Sequence, residues 1–298
     1  MTAAVSRYFL IVVNPLASDK ATACLERLTE ALSIRNDRFD VWYTSANDQA
    51  NQRHLAQCRD LYSDWVMIGG DGTLNLLVNA LAGSNVPLGL IPCGSGNDFA
   101  RNLYQKGDDP VEVAFGTHSE AMDLGRCNER YFANVLGVGF DGAVVASLYD
   151  QQPRYFRRWR YLLVAAGKIF FYREKHTCLQ SSRNKQEAAF IATFANGRYF
   201  GGGMQIAPKA DIHDGLLDCC WVARTSLWKK LYYLARIFYG THLKADAVDY
   251  WQDKEFYVST PDLPVEGDGE FFGLTPARIA VAPKAIRIKT PRSIANPS

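Results

Sequence analysis

The stretch that decides the fold reads WVMIGGDGTLN and covers residues 65–75. Its apolar start is typical of a buried strand, and the apolar residues after Thr73 recur at the spacing of a helix. Between them lies a glycine-rich corner, residues 69–73, where a strand passes into a helix. A helix N-terminus offers unpaired N–H groups and a partial positive charge, and glycines let a phosphate approach the backbone closely. The corner predicts a phosphate site with Asp71 placed to hold Mg²⁺, the alternative being a tight turn with an acidic cap.

A second corner of the same kind follows at residues 91–101, which read IPCGSGNDFAR. Small residues again precede a helical pattern, and Ser95 and Asn97 supply a hydroxyl and an amide. Because the carboxyl ends of successive parallel strands meet at one edge of a sheet, we expect the two corners to be neighbours. Together they predict a nucleotide-binding site more strongly than either corner does alone.

Outward from these corners, the chain shows two kinds of pattern. Before Met122, short apolar runs alternate with helical patterns, which predicts a mostly parallel sheet covered by helices. The predicted strands there are 9–13, 38–44, 65–68 and 87–91, and the predicted helices are 21–32, 51–61, 74–81 and 97–103. After Met122, aromatic and β-branched runs separated by turn residues predict an antiparallel β domain. These runs are 131–138, 188–196, 216–222, 254–259, 278–282 and 286–288, with helical, aromatic-rich inserts near 153–175 and 224–244.

Composition narrows the function classes. Of the 298 residues 48% are hydrophobic and 21% charged, with a formal net charge of +2, so the chain is globular and we expect no nucleic-acid partner of the kind that strongly basic proteins bind. The seven cysteines are odd in number and form no CxxC pair, which favours reduced thiols in the cytoplasm over disulfides or a zinc site. No uninterrupted apolar run of about 18 residues occurs, so no transmembrane helix is predicted.

Two other nucleotide-binding motifs are missing or out of context. The chain has no GxxxxGK[ST] sequence, which excludes a P-loop NTPase. A GxGxxG sequence occurs at residues 137–142, but the region about 20 residues further on, 157–160, holds no acidic residue for a ribose. It also opens the predicted β domain, so an oxidoreductase is a distant alternative.

Further motifs follow the two corners in a fixed order along nearly the whole chain. They are Asn14-Pro15 and residues 69–75, 92–101, 122–125, 134–141, 196–197, 201–203, 208–210, 214–218 and 267–270. In this order of motifs the sequence resembles the bacterial diacylglycerol kinase-like lipid kinases, relatives of sphingosine and ceramide kinases. The corner at residues 69–73 alone is not specific, because NAD kinases and phosphofructokinases resemble it there.

The resemblance implies a Rossmann-like or phosphofructokinase-like α/β nucleotide domain, residues 1–122 with a returning segment 276–298. It also implies an antiparallel β-sandwich domain, residues 123–275, which completes the active-site cleft. The implied reaction is ATP- and Mg²⁺-dependent transfer of phosphate to a lipid hydroxyl, with Glu270 as general base. The ATP contacts it implies are Thr44, Gly69, Gly70, Asp71, Gly72, Thr73, Leu74, Asn75 and Ser95, and the Mg²⁺ ligands are Asp211, Asp214 and the Leu216 carbonyl.

The chain departs from the family pattern at two places. Ser95 stands where threonine is usual, which keeps a hydroxyl at that position. The Asn14-Pro15 loop lacks the glycine often found just after it. This second departure weakens the expectation of a phosphate contact in that loop.

A pair of carboxylates, Asp268 and Glu270, flanks Gly269 in a turn where the backbone can come close to a substrate. Phosphoryl transfer depends on positioning and charge neutralisation, and the attacking hydroxyl must lose a proton. One carboxylate is expected to accept or orient the hydroxyl, while the other binds Mg²⁺ or fixes its neighbour. The sequence does not assign these two roles, and a plain Asp-Gly hairpin turn is the alternative. Asp71 completes the predicted catalytic set.

Both helical inserts, 153–175 and 224–244, mix basic side chains with Trp, Tyr and Phe. Such helices suit an anionic membrane surface, so we expect peripheral contact with the inner leaflet; the alternative is an amphipathic helix packed on the core with a solvated basic face. Two other functions stay open: a kinase of a soluble acceptor such as NAD, and a non-catalytic nucleotide- or lipid-binding module.

Overall fold

The computed structural model describes residues 7–16, 19–140, 142–144, 167–168, 170 and 172–291. The chain divides into two compact units, Met1–Met122 with Lys284–Ser298, and Asp123–Pro283. Its strands are β1 Tyr8–Val13, β2 Arg38–Tyr43, β3 Asp64–Gly69, β4 Pro87–Pro92, β5 Ser119–Cys127, β6 Arg130–Phe132, β7 Val135–Gly139, β8 His176–Gln180, β9 Lys185–Ala195, β10 Leu217–Ala223, β11 Val248–Asp253, β12 Glu255–Val258, β13 Pro264–Gly267, β14 Glu270–Leu274 and β15 Ala277–Lys289. Its helices are α1 Asp19–Ile34, α2 Asp48–Cys58, α3 Asp71–Leu81, α4 Ala100–Leu103, α5 Pro110–Phe115 and α6 Leu227–Ile237.

The first unit is built on a parallel sheet in the strand order β15-β4-β3-β1-β2, to which β15 contributes its end. β3 is buried along its whole length and β1 along nearly all of it, as expected for parallel strands covered by helices. Phe9 and Ile11 of β1 share a hydrophobic core with Leu28 and Leu32 of α1, which recur at helical spacing on one face. The predicted α/β class is confirmed for this unit.

A buried ion pair anchors the end of β15 in the first unit. The Lys289 ammonium donates to the Asp64 carboxylate and, at 2.8 Å, to the Gly116 carbonyl. Arg7 reaches the same carboxylate at 3.4 Å. Burial lowers the pKa of Lys289 to about 8, although Asp64 favours its charged form. The returning end of the chain is therefore held to the start of β3 by charge as well as by strand pairing.

The second unit is an antiparallel β-sandwich, as predicted. β9 pairs through its first residues with β8 and through its remainder with β7 and β10, so one strand joins two sheets. The sheet that contains β8 continues through β12 to the start of β15. The sheet that contains β7 continues through β13 to β14. Aromatic side chains fill one core of this unit, among them Phe194, Trp221 and Phe256. The chain passes to the first unit between Pro283 and Lys284, inside β15.

Three local features differ from the predicted elements. The helix predicted at 97–103 begins only at Ala100, because Asn97 adopts a positive φ of 54° in the preceding loop. The predicted strand 131–138 is interrupted between β6 and β7. The runs 278–282 and 286–288 form one strand, β15, in which Lys284 has a φ of 53°. None of the described helices is long and apolar enough to cross a bilayer.

Candidate active site

Backbone hydrogen bonds align the carboxyl ends of neighbouring strands in the first unit. The Cys93 N–H donates to the Gly69 carbonyl at 2.8 Å, and the Asn14 N–H donates to the Ile68 carbonyl at 3.0 Å. The Thr44 N–H donates to the Val13 carbonyl at 2.9 Å. The loops that follow β4, β3, β1 and β2 therefore start side by side at one edge of the sheet. In an open α/β sheet this is the edge where ligands bind.

The first corner presents the N-terminus of α3. The N-cap residue is Gly70, which has no side chain to cap the helix, and the Leu74 N–H makes the first helical bond to its carbonyl at 3.0 Å. The N–H groups of the first turn are thus left without a side-chain cap, which suits an anion. Gly69 is required for packing, because a Cβ there would lie 2.6 Å from the Thr73 hydroxyl. Thr73 itself is buried, and Asn14 Nδ2 donates to its hydroxyl at 3.4 Å.

The second corner packs directly on the first. A Cβ at Gly94 would lie 2.5 Å from the Cα of Gly70, so the two loop backbones are in contact. Asn97 closes the second loop on itself: its Oδ1 accepts the Gly94 N–H at 2.9 Å, and its Nδ2 donates to the Gly94 carbonyl at 2.8 Å. This leaves Ser95 exposed at the tip of the loop. The expectation that the two corners are neighbours is met in the structure.

Asp71 joins the two corners. Its Oδ1 accepts the Asp98 N–H at 2.8 Å, and a Cβ at Gly96 would lie 2.6 Å from its Oδ2. Arg101 lies close by, with its Nη2 3.3 Å from the Gly96 carbonyl and its Nε 3.7 Å from the Asp98 carboxylate. A carboxylate beside a phosphate site is repulsive unless a cation lies between them. Asp71 therefore supports both loops, and its carboxylate is a group that could hold a divalent cation.

The predicted ATP contacts, Thr44, residues 69–75 and Ser95, all follow or end strands at this edge. Two asparagines of the sequence motifs have a structural role here. Asn97, expected to supply an amide, and Asn14 each hold a loop in shape. The signal for this role of Asn97 lay in the sequence, because asparagine in a glycine-rich loop tolerates a left-handed conformation and bonds to nearby backbone.

In the second unit, Asp268 and Gly269 form the two-residue turn between β13 and β14. Their φ values are 52° and 81°, as a type I′ hairpin turn requires. The Asp268 carboxylate accepts N–H groups from Ala133 at 2.7 Å, Asn134 at 2.9 Å and Val135 at 3.3 Å. These bonds attach the turn to residues 133–135, where the chain passes from β6 to β7. Because the N–H groups there bind Asp268, the predicted strand is interrupted at this point. Asp268 is thus engaged in fixing the backbone.

A second acidic residue fixes the same turn. Glu266 is buried and its Oε2 accepts the Gly269 N–H at 2.9 Å. Sequence reasoning did not single out Glu266. Glu270 is half-buried and follows the turn as the first residue of β14, paired with Gly267. Asp268 and Glu266 therefore both bind backbone N–H groups of the turn and its support.

The support behind the turn is itself held by a buried asparagine. Asn196 is fully buried, and its Nδ2 donates to the Asp123 carbonyl at 3.0 Å and the Ala133 carbonyl at 2.7 Å. Its backbone N–H donates to the Asn134 carbonyl at 2.7 Å. Asn196 and Asp268 thus both form hydrogen bonds to the same short segment, residues 133–135.

The residues predicted to hold Mg²⁺ share one turn of the second unit. Asp211 Oδ1 accepts the His213 N–H at 3.0 Å, and Asp214 Oδ1 accepts the Leu216 N–H at 2.9 Å. Asp214 Oδ2 accepts from Gln252 at 3.0 Å. Burial raises the pKa of Asp214, and the neighbouring Asp211 raises it further. In the described part of the chain, no group of three or more His, Cys, Asp or Glu side chains is arranged to hold a metal.

The GxGxxG sequence lies in a different context from a dinucleotide site. Gly137 and Val138 belong to β7, which pairs antiparallel with β9 and with β13. A dinucleotide fingerprint needs a strand-to-helix turn in a parallel βαβ unit. The strand pairing of the described residues thus gives the oxidoreductase alternative no support.

Comparison with known proteins places this chain in a family. The diacylglycerol kinase catalytic domain matches residues 8–127, and the YegS C-terminal NAD kinase beta sandwich-like domain matches residues 134–290. A diacylglycerol kinase of Mycobacterium tuberculosis is 33% identical over 275 residues, which cover 87% of either chain. This chain belongs to the diacylglycerol kinase-like family of lipid kinases.

Other members of the diacylglycerol kinase-like family agree with this assignment. A diacylglycerol kinase of Staphylococcus carnosus is 27% identical over 272 residues, 84% of this chain and 85% of the relative. A crystal structure of a diacylglycerol kinase from Bacillus anthracis matches with a TM-score of 0.71 at 19% identity, over 98% of this chain and 99% of that one. The structural match confirms the fold of both units, and the family makes phosphoryl transfer the reaction type.

Proposed function

We propose that this protein is an ATP- and Mg²⁺-dependent lipid kinase that transfers the γ-phosphate to the hydroxyl of a diacylglycerol-like lipid. The observation that carries the proposal is the contact between the two glycine corners, with Gly70 against Gly94 and Asp71 bridging to Asp98. Backbone N–H groups at such a corner bind phosphate oxygens without side-chain charge. The names of the relatives, diacylglycerol kinases, support a lipid hydroxyl as the acceptor.

Glu270 is the general base of this proposal. Asp268 accepts three backbone N–H groups, so both oxygens of its carboxylate are engaged in holding the backbone behind the turn. Glu270 leaves the same turn on β14 with its side chain half-buried. Its carboxylate would accept the proton of the lipid hydroxyl as that oxygen attacks the γ-phosphorus. Asp268 and Glu266 would position Glu270 by holding the hairpin turn.

Mg²⁺ would neutralise charge on the triphosphate during transfer. Asp71 is the described carboxylate that lies between the two corners. Asp211 and Asp214, with the Leu216 carbonyl, offer the oxygen ligands that Mg²⁺ prefers, in a turn closed by the Asp214 N–H and the Asp211 carbonyl at 3.5 Å. We propose a supporting cation there. All seven cysteines are described and free, which suits a reducing compartment such as the cytoplasm.

The proposal is tested by transfer of labelled γ-phosphate to a panel of acceptors. The panel holds diacylglycerol, monoacylglycerol, phosphatidylglycerol, a sphingoid base and an undecaprenyl-type alcohol in mixed micelles, with NAD as the soluble acceptor. We expect label in a lipid product and its loss when Mg²⁺ is chelated. Label in NAD alone would favour the soluble-acceptor alternative, which the NAD kinase-like description of the second domain keeps open. Label in no acceptor would favour a binding module.

A further inference from the structure

Helix α6 has an inner face that belongs to a core of the second unit. Tyr233 and Ile237 are buried, and Leu227, Leu231 and Leu234 pack on the same core. These apolar residues lie three or four positions apart, as one face of a helix requires. Packing of the inner face therefore holds α6 on this core, and the opposite side of the helix does not contribute to that packing.

Lys230 belongs to the inner face, which corrects part of the sequence prediction. Its side chain is 7% exposed, pairs with the Glu174 carboxylate, and lies 4.9 Å from the centre of the Phe190 ring. A buried, paired lysine is not available to a membrane surface. Lys230 therefore does not contribute to the basic surface that the sequence predicted for residues 224–244.

Aromatic side chains cover the opposite side of α6 and the turn after it. Trp228 is 79% exposed, Tyr232 53% and Tyr239 78%, and Phe238 at the end of the helix is 43% exposed. Trp228 and Tyr232 are four positions apart on one side of the helix, and Tyr239 follows in the turn after it. We call these three residues the outer aromatic face. An aromatic group of this size in water usually marks an interaction site.

Basic side chains surround the outer aromatic face. The Arg224 side chain is 74% exposed and its Nε lies 3.8 Å from the Glu174 carboxylate, and Lys229 is exposed beside Trp228. Arg236 lies over the Tyr232 ring at 5.3 Å and donates to its hydroxyl at 2.6 Å. No acidic residue occurs between Cys219 and Lys244. The outer aromatic face therefore has Lys229 and Arg236 beside its aromatic rings, and both can contribute positive charge there.

We propose that the outer aromatic face of α6 docks this protein on an anionic lipid bilayer. Tryptophan and tyrosine prefer the boundary between headgroups and acyl chains, and each basic residue near an anionic leaflet adds attraction. A second copy of this chain is a poorer occupant, because it would bring the same positive charges together. The functional reason for this docking rests on the proposed lipid kinase function, because the lipid acceptor of that reaction lies in a membrane. The other predicted segment, 153–175, lies mostly outside the described residues.

Binding to vesicles without nucleotide tests this docking independently of catalysis. The full-length protein is co-sedimented with phosphatidylcholine vesicles, with or without phosphatidylglycerol, at low and at high salt. We expect the wild type to prefer the anionic vesicles and to lose binding as salt is raised. The double variant Trp228→Ala with Tyr239→Ala should bind on the order of tenfold more weakly, because it removes two large apolar contacts. Lys229→Gln should bind roughly fivefold more weakly.

Two matched variants of the same unit control for general surface effects. Tyr257 is an exposed tyrosine on β12 and Lys254 an exposed lysine between β11 and β12, so Tyr257→Ala and Lys254→Gln should bind as the wild type does. Unchanged melting temperatures would show that all variants are folded. Equal binding by the α6 variants and the wild type would overturn the proposal, as would equal binding to neutral and anionic vesicles. A wild-type dimer that dissociates in the α6 variant, with vesicle binding unchanged, would assign the face to a second copy instead.

Loss of vesicle binding and loss of kinase activity are distinguishable outcomes. If the docking inference alone is wrong, the α6 variants transfer phosphate to vesicle-borne lipid at the wild-type rate. If the kinase proposal alone is wrong, the wild type still binds anionic vesicles but labels no lipid. If both are right, the α6 variants lose rate on vesicle-borne lipid and keep it on a short-chain lipid dispersed in water.

Discussion

The glycine corners of the first unit and the Asp-Gly turn of the second unit both combine glycine with aspartate, but glycine has a different structural role in each. In the corners, glycine allows contact between two backbones: a Cβ at Gly94 would lie 2.5 Å from the Gly70 Cα, and one at Gly70 would lie 3.0 Å from the Gly94 Cα. In the turn, Gly269 has open space around it and serves a positive φ of 81°. The corners leave backbone donors for an anion, whereas the turn holds carboxylates in place.

In both regions one aspartate fixes the backbone next to the chemistry. Asp71 accepts one N–H across the corners, and Asp268 accepts three behind the turn. The comparison teaches that an aspartate in a glycine-rich motif can support the backbone as well as take part in chemistry, and that its hydrogen bonds reveal the supporting role. In the proposed reaction, nucleotide binding would depend on the first unit and proton transfer on the second.

The largest expected effect is at the turn. Glu270→Gln should lower turnover by about 10²–10⁴-fold, the usual contribution of a general base, and leave Mg-ATP affinity unchanged. Steady-state and single-turnover transfer of labelled phosphate would measure this. Glu266→Gln keeps an acceptor for the Gly269 N–H and is the matched control, with a small expected loss. A folded Glu270→Gln protein with near-normal turnover would exclude Glu270 as the base.

The next effect is at the contact between the corners. Gly94→Ala places a Cβ 2.5 Å from the Gly70 Cα, so the two loops must separate. We expect roughly 10–100-fold weaker nucleotide affinity, since losing one hydrogen bond to a charged phosphate costs about 1.5–3 kcal/mol. Titration calorimetry with a non-hydrolysable ATP analogue would measure it. Ser95→Ala, in the same loop at an exposed position, should cost much less, and equal losses in the two variants would contradict the contact argument.

Two substitutions at Asp71 distinguish the effect of its charge from the effect of its hydrogen bond to the backbone. Asp71→Asn keeps an acceptor for the Asp98 N–H and removes the charge, so turnover with Mg-ATP should fall at least about tenfold, or about 1.4 kcal/mol, while stability changes little. Asp71→Ala removes both and should also lower the free energy of unfolding by about 1–3 kcal/mol. Urea unfolding beside the transfer assay distinguishes the two variants. Unchanged turnover in Asp71→Asn would refute a role in nucleotide handling.

The smallest expected effect on chemistry is at Asp268. Asp268→Ala should lower the free energy of unfolding by about 3 kcal/mol, because three N–H groups lose a charged acceptor. Asp268→Asn keeps an acceptor and should keep most of the stability, with less than about a tenfold loss of turnover. Thermal unfolding and the transfer assay measure both. A loss of turnover in a stable Asp268→Asn protein as large as that of Glu270→Gln would make Asp268 a member of the catalytic pair.

Sequence patterns predicted the architecture well because it depends on periodicity. Strand-helix alternation fixed the parallel sheet, and the carboxyl-end rule placed residues 69–73 beside residues 94–98. The patterns did not reveal which aspartate bonds which backbone, because those partners lie far apart in sequence, as with Asp268 and Ala133. Nor did they show that Lys230 is buried, since its partner, Glu174, comes from a distant segment.

Paired measurements of nucleotide binding and phosphate transfer on Gly94→Ala and Glu270→Gln test the division of labour most directly. The account predicts that Gly94→Ala loses affinity for the ATP analogue, and that its transfer recovers at least in part at saturating Mg-ATP. It predicts that Glu270→Gln binds the analogue like the wild type and transfers little phosphate at any concentration. Loss of ATP affinity in Glu270→Gln with normal turnover at saturation, or normal binding by Gly94→Ala, would contradict it.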